Sequence, residues 1–300
     1  MKLRHGQAVA LMVLVTLLWS TAGVVTRQLE SARSFEVTFW RSAYTVLSLL
    51  LILPLWQGRV VWSRMRAAGT LLWISGVCWA VMFTCFMLAM TLTTVANVLI
   101  TMALGPLLTA LAARIGLGHR LPARTWSAIV VAGLGIAWIY GHQLGSGGWP
   151  GITVAAAVPL AGAVNWTLVQ RNQSSGRQID LAPAVLVGAL LSALLTLPLA
   201  WPLQAPATDQ AWLAALGLLQ LALPCVLAII CARSLSAPEM SLLALLEVLF
   251  GILLAWLGAG EVPPASTLLG SLIVLGALLG NEWLGWRQRR GQPSRPVAGA

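Results

Sequence analysis

Glu247 interrupts an otherwise uncharged and strongly apolar run, SLLALLEVLFGILLAWLGA from Ser241 to Ala259. A carboxylate at the centre of a membrane span costs roughly 2.5–3.5 kcal/mol on insertion scales, so it must face a bundle interior or a wet cavity. In such a place it exchanges protons or touches a cationic substrate group, or else serves as a structural partner for Arg41 or for a polar backbone group. Arg41 follows Phe39-Trp40 a few residues into another apolar run. Its guanidinium fork matches a substrate carboxylate, and its shallow position equally suits snorkelling to the interface beside Trp40. Asn97 and Asn165 are amides within apolar runs, where they bridge helices or face a cavity. Pro106, Pro159 and Pro224 each remove a backbone donor inside a predicted helix, freeing a carbonyl that only protein or water can satisfy.

The chain has 15 tryptophans. Trp56, Trp62, Trp201, Trp212, Trp283 and Trp286 fall at the ends of apolar runs, where indoles anchor at the interface. Trp19, Trp79 and Trp166 lie deeper. Trp19 and Trp166 hold comparable places in the two halves, so they either stack on a planar or apolar substrate across a shared cavity or make ordinary lipid and helix contacts. His5, His119 and His142 are scattered over separate loops, and no cluster suited to metal or acid/base catalysis is visible. Cys78, Cys85, Cys225 and Cys231 all fall within apolar runs and read as packing residues. No Walker motif is present. The expectation is therefore a chain without catalytic residues, metal ligands or cofactor.

What positions these residues follows from composition. Of the 300 residues 59% are hydrophobic and only 9% charged, with a mean hydropathy of +0.86. That is the balance of an integral membrane protein. No charged residue occurs from Ala67 to Ala113 or from Thr125 to Gln170, so each stretch holds two helices joined by a turn. The uncharged runs predict an all-α fold of ten transmembrane helices, near 7–26, 35–57, 67–90, 95–114, 123–140, 150–170, 181–202, 211–232, 237–257 and 265–285.

Simple alternation of those spans puts Lys2, Arg4, Arg59, Arg64, Arg66, Arg114, Arg120, Arg124, Arg171, Arg177, Arg233, Arg287, Arg289, Arg290 and Arg295 on one side and only Arg27 and Arg33 in loops on the other. By the positive-inside rule both termini are cytoplasmic. The formal charge of +10 then belongs to topology, and the dispersal of the arginines argues against a nucleic acid partner.

The chain also repeats itself. LILPL at Leu51 to Leu55 returns as LTLPL at Leu195 to Leu199, and LGPLLTALAARIGLGHRLP (Leu104 to Pro122) aligns with LEVLFGILLAWLGAGEVPP (Leu246 to Pro264). Gly118-His119 falls on Gly260-Glu261, and Pro122 on Pro264. Five spans per copy is an odd number, so the second copy crosses in the opposite sense; such inverted repeats are characteristic of transporters. The expected units are residues 1–140 and 150–286, followed by a disordered cytoplasmic tail at 287–300.

LLWSTAGVVTR (Leu17 to Arg27), FWR (Phe39 to Arg41), GPLLTAL (Gly105 to Leu111) and the Gly260-Glu261 pair, in this order and duplicated, resemble the EamA-type members of the drug/metabolite transporter superfamily. The likeness runs over residues 8–286. The family's usual glutamate after the fourth helix is His119 here, and Val248 stands where a proline is expected after Glu247. The resemblance implies a secondary transporter in a bacterial-type inner membrane, moving an amino acid or related small metabolite, more often outward. Glu247, Arg41, Trp19, Trp166, Asn97, Trp79 and Pro106 are the candidates for substrate or coupling contacts, with protons as the candidate coupling ion. A membrane-embedded transferase or an uptake carrier of the same fold are the alternatives. The Gly276/Gly280 pair, with Gly133 and Gly135, permits close helix packing or a homodimer contact within the lipid bilayer.

Overall fold

The structure, a computed structural model, describes residues 3–30, 34–118, 122–143, 148–174, 179–231, 234–235 and 237–290. Among the described residues every regular element is a helix. In chain order these are α1 (His5–Thr26), α2 (Ser34–Gln57), α3 (Val60–Ala67), α4 (Gly69–Leu92), α5 (Val95–Met102), α6 (Gly105–Leu117), α7 (Ala123–Gln143), α8 (Trp149–Ser174), α9 (Ala184–Ala200), α10 (Ala207–Ala215), a π-helical stretch (Leu216–Ala222), α11 (Leu223–Cys231), α12 (Ala237–Ala259) and α13 (Ala265–Arg290). Seven segments are long and apolar enough to cross a membrane, and the apolar helices Ala123–Ile139, Ala184–Ala200 and Leu243–Ala259 are shorter.

Four departures from the sequence reading have physical causes. The fourth predicted span is two helices, because Gly105-Pro106 starts a new one: proline has no N–H to give to the preceding turn, so Pro106 sits in the first turn of α6 and not in a helix interior. The eighth widens into the π stretch just before Pro224, which has no N–H to offer the carbonyl of Gln220. Residues 60–66, expected as loop between spans, lie in the helix α3, which carries Arg64 and Arg66 in its last turn, a place that favours cations. Finally, α13 continues to Arg290, inside the stretch expected to be disordered tail; residues 291–300 lie outside the described residues.

The packing repeats as the sequence does. α4 lies on α8 as the π stretch and α11 lie on α1, and α1 lies on α12 as α8 lies on α5 and α6. α4 meets α9 as α10 and the π stretch meet α2, while α2 with α9 and α7 with α13 are pairs that map onto themselves. Each copy thus packs chiefly against the other, and the two interlock instead of forming separate lobes. Gly118 and Gly260, aligned in the repeat, both close their helices in the left-handed region, at φ 70° and 66°. Leu51 and Leu55 of the first leucine-proline motif and Leu195 and Leu199 of the second are exposed, as lipid-facing residues should be.

Hydrogen bonds fix which ends meet. The ends of α1 and α12 join the α4–α5 junction through Arg27 and Glu261. Glu36, near the start of α2, accepts the N–H groups of Gln204 and Ala205 before α10, at 2.6 and 2.7 Å. Arg124 and Thr125 at the start of α7 bond to Asn281 late in α13.

Candidate substrate site

Arg41 is the largest polar side chain held inside the bundle. Although it stands near the start of α2, its side chain turns inward and is 2% exposed, so the snorkelling geometry expected of a shallow arginine is not adopted. Nε and Nη2 both donate to Oε1 of Gln220, at 3.0 and 2.8 Å. The Gln220 amide in turn donates to the Trp19 carbonyl at 3.3 Å.

The π stretch brings Gln220 there. Gly217, one turn before it, has no side chain, and any Cβ at that position would run into Tyr44 Cβ and the Arg41 carbonyl. Without that obstacle Thr45 reaches across, donating to the carbonyls of Arg41 and Gly217. The close approach of α2 to this stretch therefore depends on a glycine, and it sets Gln220 against the guanidinium.

On its other sides the guanidinium meets aromatic rings of α4. The Phe86 centroid lies 5.4 Å and the Phe83 centroid 5.9 Å from Arg41 Cζ, within cation–π range. Nη1 is buried with no hydrogen-bond partner. Glu247 of α12 and Cys225 of α11 both lie within electrostatic reach of Arg41. Glu247 is half-buried and does not close into an ion pair with it. Beside Arg41, Ser42 of α2, Ser192 of α9 and Thr84 of α4 share a chain of hydroxyl contacts at 2.9 Å.

Of the residues singled out in the sequence, the structure brings Arg41, Glu247 and Trp19 together. Trp19 adds its carbonyl and packs its ring in the apolar cluster that contains Phe83 and Cys225. Trp79 joins at the edge, its ring 5.3 Å from that of Phe83. Trp166 does not face Trp19 across a cavity: it is 51% exposed and packs edge-on against Trp79, at 6.3 Å. The reason is helix pairing: α8 packs on α4, α5 and α6 and α1 on α11, α12 and the π stretch, and neither packs mainly on the other.

Asn97 is fully buried and fully engaged. Its Nδ2 donates to Thr93 Oγ1 and its Oδ1 accepts from Thr267, both at 3.0 Å; it fastens α5 to α13. Asn165 similarly accepts from Ser75 at 2.6 Å. Pro106 only starts α6. His119 lies outside the described residues. Among the described residues no group of three or more His, Cys, Asp or Glu side chains is placed to hold a metal ion.

Gln220, Phe83, Phe86 and Cys225 were not among the candidates. Gln220 carried the same signal as Asn97 and Asn165, an amide inside an apolar run. The phenylalanines carried none, because an aromatic ring in a span is compatible with any role.

A guanidinium with one unpartnered nitrogen, a carboxyl within its field and aromatic neighbours has a donor and a positive charge to offer an anionic group. The sequence model of the EamA-like transporter family matches residues 6–141 and 149–281. No curated protein matches the chain significantly. One solved crystal structure of a protein superposes with a TM-score of 0.60 at 18% identity, over 95% of this chain and 100% of the other; at that identity the likeness is one of fold.

Proposed function

Because the chain belongs to the EamA-like transporter family, we propose that it is a secondary transporter that carries a small metabolite, an amino acid or a related compound, outward by alternating access. In this reading the three shorter apolar helices also cross the membrane, giving ten spans in two inverted sets, with both termini in the cytoplasm and the chain in the inner membrane. The pairing of helix ends supports it. Arg27, Thr93 and Glu261, which bond to one another's segments, all fall in loops that alternation assigns to the outer side, and Arg124 and Asn281 fall on the inner side.

The observation that carries the proposal is Arg41 Nη1, buried and without a partner, with Glu247 close enough to feel its charge but not bonded to it. A cargo carboxylate takes the free face of the guanidinium, where water is excluded and a charged hydrogen bond is strong. Glu247 then holds either a cargo ammonium or a proton, and so ties movement of cargo to movement of a proton. Since the two copies interlock, the bodies that rock are helix groups drawn from both.

The test is flux in proteoliposomes. Labelled amino acids and small metabolites are offered with and without a pH gradient to the parent chain and to Glu247→Gln. Gradient-driven flux of a carboxylate-bearing cargo, lost in the variant, is the expected result. Flux indifferent to both gradient and substitution would make Glu247 structural and the protein a facilitator, and selective flux of cargo without an anionic group would remove Arg41 from its assigned role.

A further inference from the structure

Among the described residues outside the Arg41 site, the densest set of charged contacts is at the end of the bundle where α1, α4, α5 and α12 meet. Arg27 follows the last turn of α1. Its Nε donates to Glu261 Oε2 at 2.9 Å, Nη1 to the Met90 carbonyl at 2.7 Å and Nη2 to the Thr93 carbonyl at 2.9 Å. Glu261, just past α12, uses its other oxygen to accept the Val95 N–H at 2.6 Å, at the start of α5, where the helix dipole favours an anion. Gln28 adds a bond to the Gly258 carbonyl at 3.2 Å.

An ion pair on an open surface contributes little, but this one has a different construction. Each partner is also bound to the backbone of the α4–α5 junction, so for the pair to separate either Arg27 gives up the Met90 and Thr93 carbonyls or Glu261 gives up the Val95 N–H, or the junction moves with one of them. α5 is only 8 residues long and is joined to α6 through Ala103 and Leu104.

The sequence does not repeat this pair at the other end. Val24-Val25-Thr26-Arg27 recurs as Leu168-Val169-Gln170-Arg171 at the end of α8, so Arg171 is the counterpart of Arg27. The counterpart of Glu261, however, is His119. The repeat supplies a cation at both ends and a carboxylate at one.

We propose that Arg27 and Glu261 are a one-sided latch: bonded, they close the path between the Arg41 site and the face that carries Glu261, and they must part for that face to open. The latch rests on the transporter reading for its purpose but not for its test, because accessibility can be read without any cargo.

The probe is a membrane-impermeant maleimide added to the face that carries Glu261, with Cys225 beside Arg41 as the only thiol, in a Cys78→Ala, Cys85→Ala, Cys231→Ala background. Labelling with the latch intact is expected to be slower than in Arg27→Gln or Glu261→Gln by about tenfold or more, the size of an equilibrium shifted by one strong interaction. Equal rates with and without the latch would overturn the proposal. Should either glutamine variant fail to elute as a single species, Arg27→Lys is read in its place against the same two outcomes, since it keeps the charge but loses the forked grip on Met90 and Thr93. A chain that moves no cargo in proteoliposomes yet shows the rate difference removes the cargo reading and leaves the latch.

Discussion

The Arg41 guanidinium holds the Gln220 side-chain oxygen through two of its nitrogens, at 3.0 and 2.8 Å, and the partner is an amide, not a carboxylate. An amide satisfies the donors without cancelling the charge. A glutamate there would have given a closed ion pair, worth something to the fold and of no use to an anion. With glutamine the bound partner brings no charge of its own, and the remaining nitrogen, Nη1, has nothing to bond.

Removing the amide separates these roles. Gln220→Leu strands two more donors of a fully buried cation and is expected to destabilise the folded bundle by about 1–3 kcal/mol, read as a lower midpoint of thermal unfolding in detergent. Gln220→Glu should raise that midpoint, yet abolish flux of any carboxylate cargo by cancelling the charge that attracts it. A Gln220→Glu chain that transports normally would show that the cargo does not meet Arg41.

How much of this could be read from the chain depends on what kind of fact each residue is. The all-helical membrane fold, the apolar segments and the duplication were legible because lipid imposes long uncharged runs, and Glu247 and Arg41 were legible because charge in such a run is costly. The inward turn of Arg41 was not. Its depth along α2 suggested the interface, and only Gly217 in a different span, by admitting α2, gives the guanidinium a buried partner. Trp166 failed in the opposite way: its likeness to Trp19 in position was real, but the partner of α8 is α4, a pairing no single sequence states.

Trp19 and Trp166 should therefore respond differently. Trp166→Leu exposes no new interior surface and is expected to change stability by less than about 0.5 kcal/mol, as surface substitutions do, with unchanged cargo KM. Trp19→Leu opens space beside Phe83 and Cys225 and should raise KM without abolishing expression. Equal effects of the two in a flux assay would contradict the assignment of Trp166 to the outer surface.

Asn97 offers a control for the whole candidate set. Its amide bonds to Thr93 and Thr267 and to nothing near Arg41, so Asn97→Leu should cost about 0.6–1.7 kcal/mol, the range for interhelical hydrogen bonds in membranes. Thermal unfolding would register the loss, while cargo KM and the response to a pH gradient should stay as in the parent.

Gly217 tests how the site is assembled. A side chain there would meet Tyr44 Cβ and the Arg41 carbonyl before any flexible atom could yield, so α2 would have to move away from the π stretch. Overpacking of this kind typically costs about 1–3 kcal/mol, and Gly217→Val should show it as a lower unfolding midpoint. Its second consequence is more specific. As α2 retreats, Arg41 loses Gln220 and the guanidinium is freed toward Glu247, already within its field, so the two should pair directly and occupy the anion's place. The measurement is equilibrium binding of a carboxylate cargo, which needs no coupling carboxyl, to Gly217→Val and to Gly217→Val/Glu247→Gln at a temperature where both remain folded. Loss of binding in the first with partial return in the second is the expected pattern, and no return in the double variant would mean that Gly217 acts through packing alone.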